Sequence, residues 1–195
     1  MKVFKFGGAS VKDAAGVKNL SSIIHQQHEQ LIVVVSAMGK TTNLLETLCN
    51  AYFHQDPKTT AIMKELKNFH LDIVNTLFPL NDTIHKHLEE LFTSLENILA
   101  SESSLCYDYE YDRIICFGEL ISTTIISDYL KMKGIENQFI DIRKFLKTDQ
   151  NYRNANIDLE LSEQLCKDAF DFNTSSVFVT QGFIAGTRTN QTTTL

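Results

Sequence analysis

Four short runs of apolar and β-branched residues, at 3–6, 31–37, 138–142 and 176–183, are separated from one another by stretches of helical periodicity. That alternation predicts an α/β fold, a three-layer αβα sandwich around a mainly parallel sheet. Between the first two runs Val17, Leu20 and Ile24 recur at helical spacing, and Ser10 with Asp13 reads as a capping box at the start of that helix. The expected path is strand, glycine turn, helix. Residues 42–133 form a longer helical region. Ile62, Leu66, Phe69, Ile73 and Leu77 make one stripe, and Ile84, Leu88, Leu91 and Leu95 make another. The Phe-Pro-Leu-Asn-Asp break at 78–82 folds them into a helical hairpin insertion. A third stripe, Ile114, Phe117, Ile121 and Ile125, ends at Gly134. A further helix is expected around Leu159, Leu161, Leu165 and Ala169. From Gly182 the pattern is strand, polar turn at 186–190, and the start of a new strand at Thr192. Domains seldom end on an unfinished hairpin, so the chain is expected to be a truncated piece of a larger domain.

Composition narrows the class. The chain has 195 residues, room for one core rather than two. With 43% hydrophobic and 22% charged residues, 2 Pro and 8 Gly, it is not disordered, collagen-like or of low complexity. A net charge of −6 repels nucleic-acid phosphates and anionic lipid alike, so neither nucleic acid nor membrane is expected as a partner. Any anion must be caught by a local site. The longest aliphatic run, 31–35, is far short of the roughly 20 residues that span a bilayer. The first residues lack the apolar stretch of a secretory signal, and a cytoplasmic location is expected. Cys49, Cys106, Cys116 and Cys166 show no ligand spacing, so no metal site is expected on this chain, and four reduced, mostly buried thiols are.

Three segments carry candidate chemistry. Lys5-Phe6-Gly7-Gly8-Ala9-Ser10 sits where a strand gives way to a helix. Glycines there let backbone amides approach an anion, and Lys5 adds a mobile charge that can follow a phosphoryl group. On Gly-Gly alone a plain tight turn with a solvated lysine is the better reading. Gly39-Lys40-Thr41-Thr42 imitates the tail of a nucleotide P-loop, but Val34 stands where the leading glycine belongs. What survives is Ser36 at a strand end, then a small-residue loop, with Thr42 and Asn43 either offering donors or simply capping a helix. Gly118-Glu119 with Ser122 and Thr123 lies in an otherwise apolar helix. A carboxylate so placed either holds a substrate ammonium or pairs with Lys5 or Arg143.

Together these segments resemble the aspartokinase branch of the amino-acid kinase family. Lys-Phe-Gly-Gly-Ala-Ser-Val is similar to its first signature, residues 33–45 to its second and residues 117–123 to its third, while 141–144, 179–186 and 192–195 extend the match in register. The resemblance covers essentially the whole chain. It implies ATP-dependent phosphorylation of the side-chain carboxylate of L-aspartate to 4-phospho-L-aspartate, the first step towards lysine, threonine and methionine. Carried over by position, Lys5 would stabilise the transferring phosphoryl group, with Gly7, Gly8 and Ser10 at the nucleotide phosphates. Ser36, Thr42 and Glu119 would position L-aspartate, Glu119 through its ammonium, and Phe183 would border the pocket. ATP and Mg2+ are the implied cofactors, bound by the complete catalytic domain.

Two departures bear on this. Ala9 stands where the family usually has Thr. The Gly-Arg-Gly-Gly-Ser-Asp segment that the family places after Thr-Thr-Thr-Leu, the adenine-binding half and the regulatory ACT domains are not in the sequence. Residues 1–195 are therefore expected to be the N-terminal, substrate-side portion of a catalytic domain, inactive alone and prone to self-association as a homo-oligomer through an exposed sheet edge. A glutamate 5-kinase-like member of the same family, or a truncated non-catalytic assembly module, is the alternative.

Overall fold

The computed structural model describes residues 1–78 and 82–195. Strand β1 (Lys2–Phe6) leads through a short 3-10 turn at Gly8–Val11 into helix α1 (Ala14–His25), and β2 (Leu31–Val35) into α2 (Thr41–Phe53). Helices α3 (Thr59–Leu77), α4 (Asp82–Leu99), α5 (Tyr107–Ile115) and α6 (Phe117–Met132) follow. The chain continues through β3 (Gln138–Ile140), β4 (Lys147–Thr148), α7 (Leu159–Ala169), β5 (Val177–Gln181), β6 (Ile184–Thr187) and β7 (Thr192–Thr194).

The main sheet runs β1-β2-β5-β3 with every pairing parallel. Register places Phe6 beside Val35, and Val35 beside Gln181. Three strands thus end their C-terminal edges together, where an open α/β sheet holds its ligands. Side chains alternate between faces along each strand. Leu31, Val33, Val35 and Val179 point into the main core, against α6. Phe178 points the other way and is covered by Phe170 and Phe172, at ring-centroid distances of 5.5 and 5.1 Å. The same alternation puts Phe4 and Phe6 on the core face and Val3 and Lys5 on the opposite face, where Val3 is exposed. A second, three-stranded sheet, β4-β6-β7, carries the hairpin read from the sequence.

Several expectations are corrected. The glycine turn does not enter α1 directly, because the 3-10 turn intervenes. Ser10 lies within that turn, and Asp13 alone caps α1, its Oδ1 accepting from the Gly16 amide at 2.8 Å. Neither Thr42 nor Asn43 caps α2: Lys40 holds the N-cap position without a side-chain bond, and the helix starts at Thr41. The third helical stripe is two helices interrupted at Cys116. The hairpin stands as α3 and α4, but Pro79, Leu80 and Asn81 of its break lie outside the described residues. Of the four free thiols two are buried, Cys166 is intermediate and Cys106 is exposed. No described helix is long and apolar enough to cross a membrane.

Candidate functional site

The turn after β1 and the loop after β2 are latched together. The Ser36 amide donates to the Phe6 carbonyl (3.0 Å) and the Gly39 amide to the Gly8 carbonyl (3.0 Å). Position 8 must be glycine for this: a Cβ there would stand 2.6 Å from the Ala37 carbonyl oxygen. Gly7, one residue earlier, faces open space and is exposed. Lys5 pairs with Val34 in register, is exposed, and has no ion-pair partner among the described residues. Ser10 is exposed as well, and only its amide is bonded, to the Gly7 carbonyl.

Helix α6 presses its first turn against the same loop. A Cβ on Gly118 would sit 2.9 Å from the Ala37 Cβ and 3.2 Å from Leu45, so only glycine lets the helix come this close. The close approach brings the Glu119 Oε1 within 3.1 Å of the Ala37 amide, from which it accepts a hydrogen bond. One turn on, the Ser122 hydroxyl donates to the Ser36 carbonyl at 2.8 Å. Thr41 secures the far end of the loop by donating to the Met38 carbonyl at 2.6 Å. Thr42 is half-buried at the start of α2.

Glu119 is 2% exposed, and its Oε2 is the one buried side-chain nitrogen or oxygen among the described residues that lacks a hydrogen-bond partner. The ion pair to Lys5 or Arg143 does not form. Arg143 grips Asp141 instead, through Nη2 at 2.7 Å and Nε at 2.9 Å, and reaches Thr192 with Nη1. Register turns Lys5 to the sheet face opposite the core. Burial pushes the Glu119 carboxyl up to about 7, only partly offset by the hydrogen bond from the Ala37 amide. A buried, half-satisfied carboxylate costs several kcal/mol unless something else meets it.

Gln181, at the end of β5, was not singled out from the sequence, and it ties the site's floor together. Its Nε2 donates to the Thr123 hydroxyl (2.9 Å), which donates to the Glu119 carbonyl (2.7 Å), and its Oε1 accepts from the Ile142 amide (2.9 Å). A buried polar side chain ending an apolar strand was the available signal. The chain then turns at Gly182 to Phe183, which is 37% exposed and holds a left-handed φ of 66°. The structure therefore gathers Gly8, Ser36, Thr42 and Glu119 at one sheet edge, with Phe183 next to Gly182, whose amide donates to the Val35 carbonyl at 3.2 Å. Lys5, Gly7 and Ser10 are exposed, Lys5 on the sheet face away from the core. Among the described residues no group of three or more His, Cys, Asp or Glu side chains could hold a metal ion.

A family model described as the amino acid kinase family matches residues 1–194. Lysine-sensitive aspartokinase 3 of Escherichia coli is 27% identical over 99% of this chain and 42% of its own length. Aspartokinase 1, chloroplastic, of Arabidopsis thaliana is 30% identical over 99% of this chain and 35% of its own length. The crystal structure of E. coli aspartokinase III in complex with aspartate and ADP superposes with a TM-score of 0.89, at 25% identity over 99% of this chain and 43% of that one. The chain thus spans less than half the length of the relatives it matches.

Proposed function

The chain belongs to the amino acid kinase family, and on that premise we propose that it is the substrate-side portion of an aspartokinase catalytic domain, built to grip L-aspartate while ATP phosphorylates its side-chain carboxylate. The observation that carries this reading is the unpartnered Glu119 Oε2, buried beneath the loop that follows β2. With Oε1 held by the Ala37 amide, Oε2 is left to receive an ammonium group. The solved E. coli relative was crystallised with aspartate and ADP, which agrees with that chemistry.

In this reading Ser36 and Thr42 offer hydroxyls to the carboxylates of aspartate, and Phe183 closes the pocket's side. Gly7 and Gly8 fit the phosphates of ATP, since Gly7 leaves its backbone open to solvent. When bound, ATP supplies the transferable phosphoryl group. Lys5, exposed and without an ion-pair partner among the described residues, neutralises charge as that group moves. Phosphoryl transfer asks mostly for positioning and electrostatic stabilisation, and this chain's groups supply both without a protein nucleophile.

The test is a titration of the 195-residue chain followed through the backbone amides of Ala37 and Gly8. L-Aspartate should shift both saturably, and succinate, which lacks the ammonium, should bind at least tenfold more weakly. Identical behaviour of the two acids, or no shift with either, would remove Glu119 from the site and the aspartate reading with it.

A further inference from the structure

The Glu119 carboxyl is caged. Ala37 covers Oε1 from the loop after β2, Gly118 brings the helix hard against that loop, and no described side chain reaches Oε2. Among the described residues no cation stands in for a ligand. From the segment after β3, Arg143 is spent on Asp141, and from β1, Lys5 faces the opposite side of the sheet. Gln181 from β5 is neutral and engaged. From α4, His87 is paired with Asp128, about two and a half turns further along α6. From α2, Glu46 is exposed. At the junction with α5, the Cys116 thiol is itself pushed up by burial, with Glu119 adding to the effect.

A charged Oε2 would therefore sit buried with neither counter-ion nor donor. We propose that the ligand-free site carries a proton on Glu119, and that an ammonium-bearing ligand enters by exchange, its arrival expelling that proton. The O–H bond of the carboxylic acid breaks and its proton passes to the buffer. The ligand keeps all three ammonium hydrogens, one of which is donated to Oε2. This rests on the aspartate reading and adds to it a rule of selection: only a ligand that brings its own positive charge can take the proton's place. Burial raises the carboxyl to about 7, so the exchange falls within the working pH range.

Calorimetric titration of the chain with L-aspartate, in phosphate and in Tris, counts the protons. Near pH 7 about half a proton should leave per ligand bound, rising towards one at pH 6 and vanishing above pH 8. The apparent dissociation constant should loosen about tenfold from pH 8 to pH 6. Glu119→Gln should lose the buffer dependence along with most of the affinity. As that variant could be misfolded, the carboxyl carbon of Glu119 is also followed by NMR in the unsubstituted chain. Its midpoint should lie near 7 when ligand-free and fall below 5 with L-aspartate. Binding with buffer-independent heat, or a ligand-free midpoint in the ordinary carboxylate range, overturns the exchange and leaves the aspartate reading standing. Absence of any binding overturns both.

Discussion

Two buried carboxylates on neighbouring helices meet opposite fates. Asp112, on α5, is fully buried, and both of its oxygens are used: Oδ1 accepts from the Thr194 hydroxyl at 2.6 Å, and Oδ2 from the amides of Thr194 and Arg153, each at 3.0 Å. Glu119, on α6, is almost as buried, yet one oxygen has a single amide and the other has nothing. Burial raises both carboxyls, and for Asp112 the hydrogen bonds pull back. A carboxylate that is saturated by its own chain fastens structure. One that is left open, in the function proposed above, is where the ligand's ammonium goes. The difference between them separates anchor from site without reference to any relative.

The largest effect should come from the anchor. Asp112→Ala removes three hydrogen bonds and strands the buried Thr194 amide at the end of β7 together with the part-buried amide of Arg153 in its loop. That loop is held further by Arg153 stacked 4.2 Å over the Tyr111 ring and paired with Asp108. The expected loss is about 3 kcal/mol, read as a melting temperature lower by roughly 10 °C. A variant melting within a degree or two of the parent would show that the saturated carboxylate fastens nothing.

Removing the other carboxylate should do the reverse. Glu119 has a folded value of about 7 against 4.5 when unfolded. Between these two values the folded chain holds a proton that the unfolded chain has lost, so stability falls as pH rises through that window, by about 3 kcal/mol. Glu119→Gln cannot lose that proton. Urea unfolding at pH 5 and pH 8 should show the parent losing about 2.5 kcal/mol more than the variant across the interval. Parallel losses would mean that Glu119 is satisfied after all, and the contrast with Asp112 would disappear.

How much of this could be read from the sequence follows from how each feature is encoded. Short apolar and β-branched runs made β1, β2, β3 and β5 legible, the central β2 as an unbroken aliphatic run and the edge strand β1 as an alternation, and the stripes of α1, α3, α4 and α7 were legible too. The two-residue β4 has no period to read. Its Lys147 is buried with Nζ donating to the Arg143 and Thr187 carbonyls and to Asn190, an arrangement made by residues up to 43 positions apart. The site's chemistry was legible as types, Gly-Gly, Ser36 and Glu119, because each stood out against apolar neighbours. The partners were not. Whether Glu119 met Lys5, Arg143 or nothing depended on strand register and on Asp141 claiming Arg143 first. Asp112 was hidden for the same reason, as its acceptors' partners lie 41 and 82 residues away.

The smallest expected effect sharpens the contrast from the side of strain. Phe183 holds φ 66°, a conformation that side chains with a Cβ adopt at a cost of about 1 kcal/mol or more, and its carbonyl accepts from the Leu195 amide at 3.0 Å. In the proposed function that cost sets the ring at the side of the aspartate site. Phe183→Gly and Phe183→Ala both delete the ring, but only glycine relaxes the backbone. Both should weaken L-aspartate binding to a similar extent. In chemical denaturation the glycine variant should be the more stable of the two by about 0.5–1 kcal/mol, the relief being trimmed by glycine's freer unfolded chain. An alanine variant as stable as the glycine one would place the cost elsewhere, and Phe183 would then be an exposed ring on a relaxed turn.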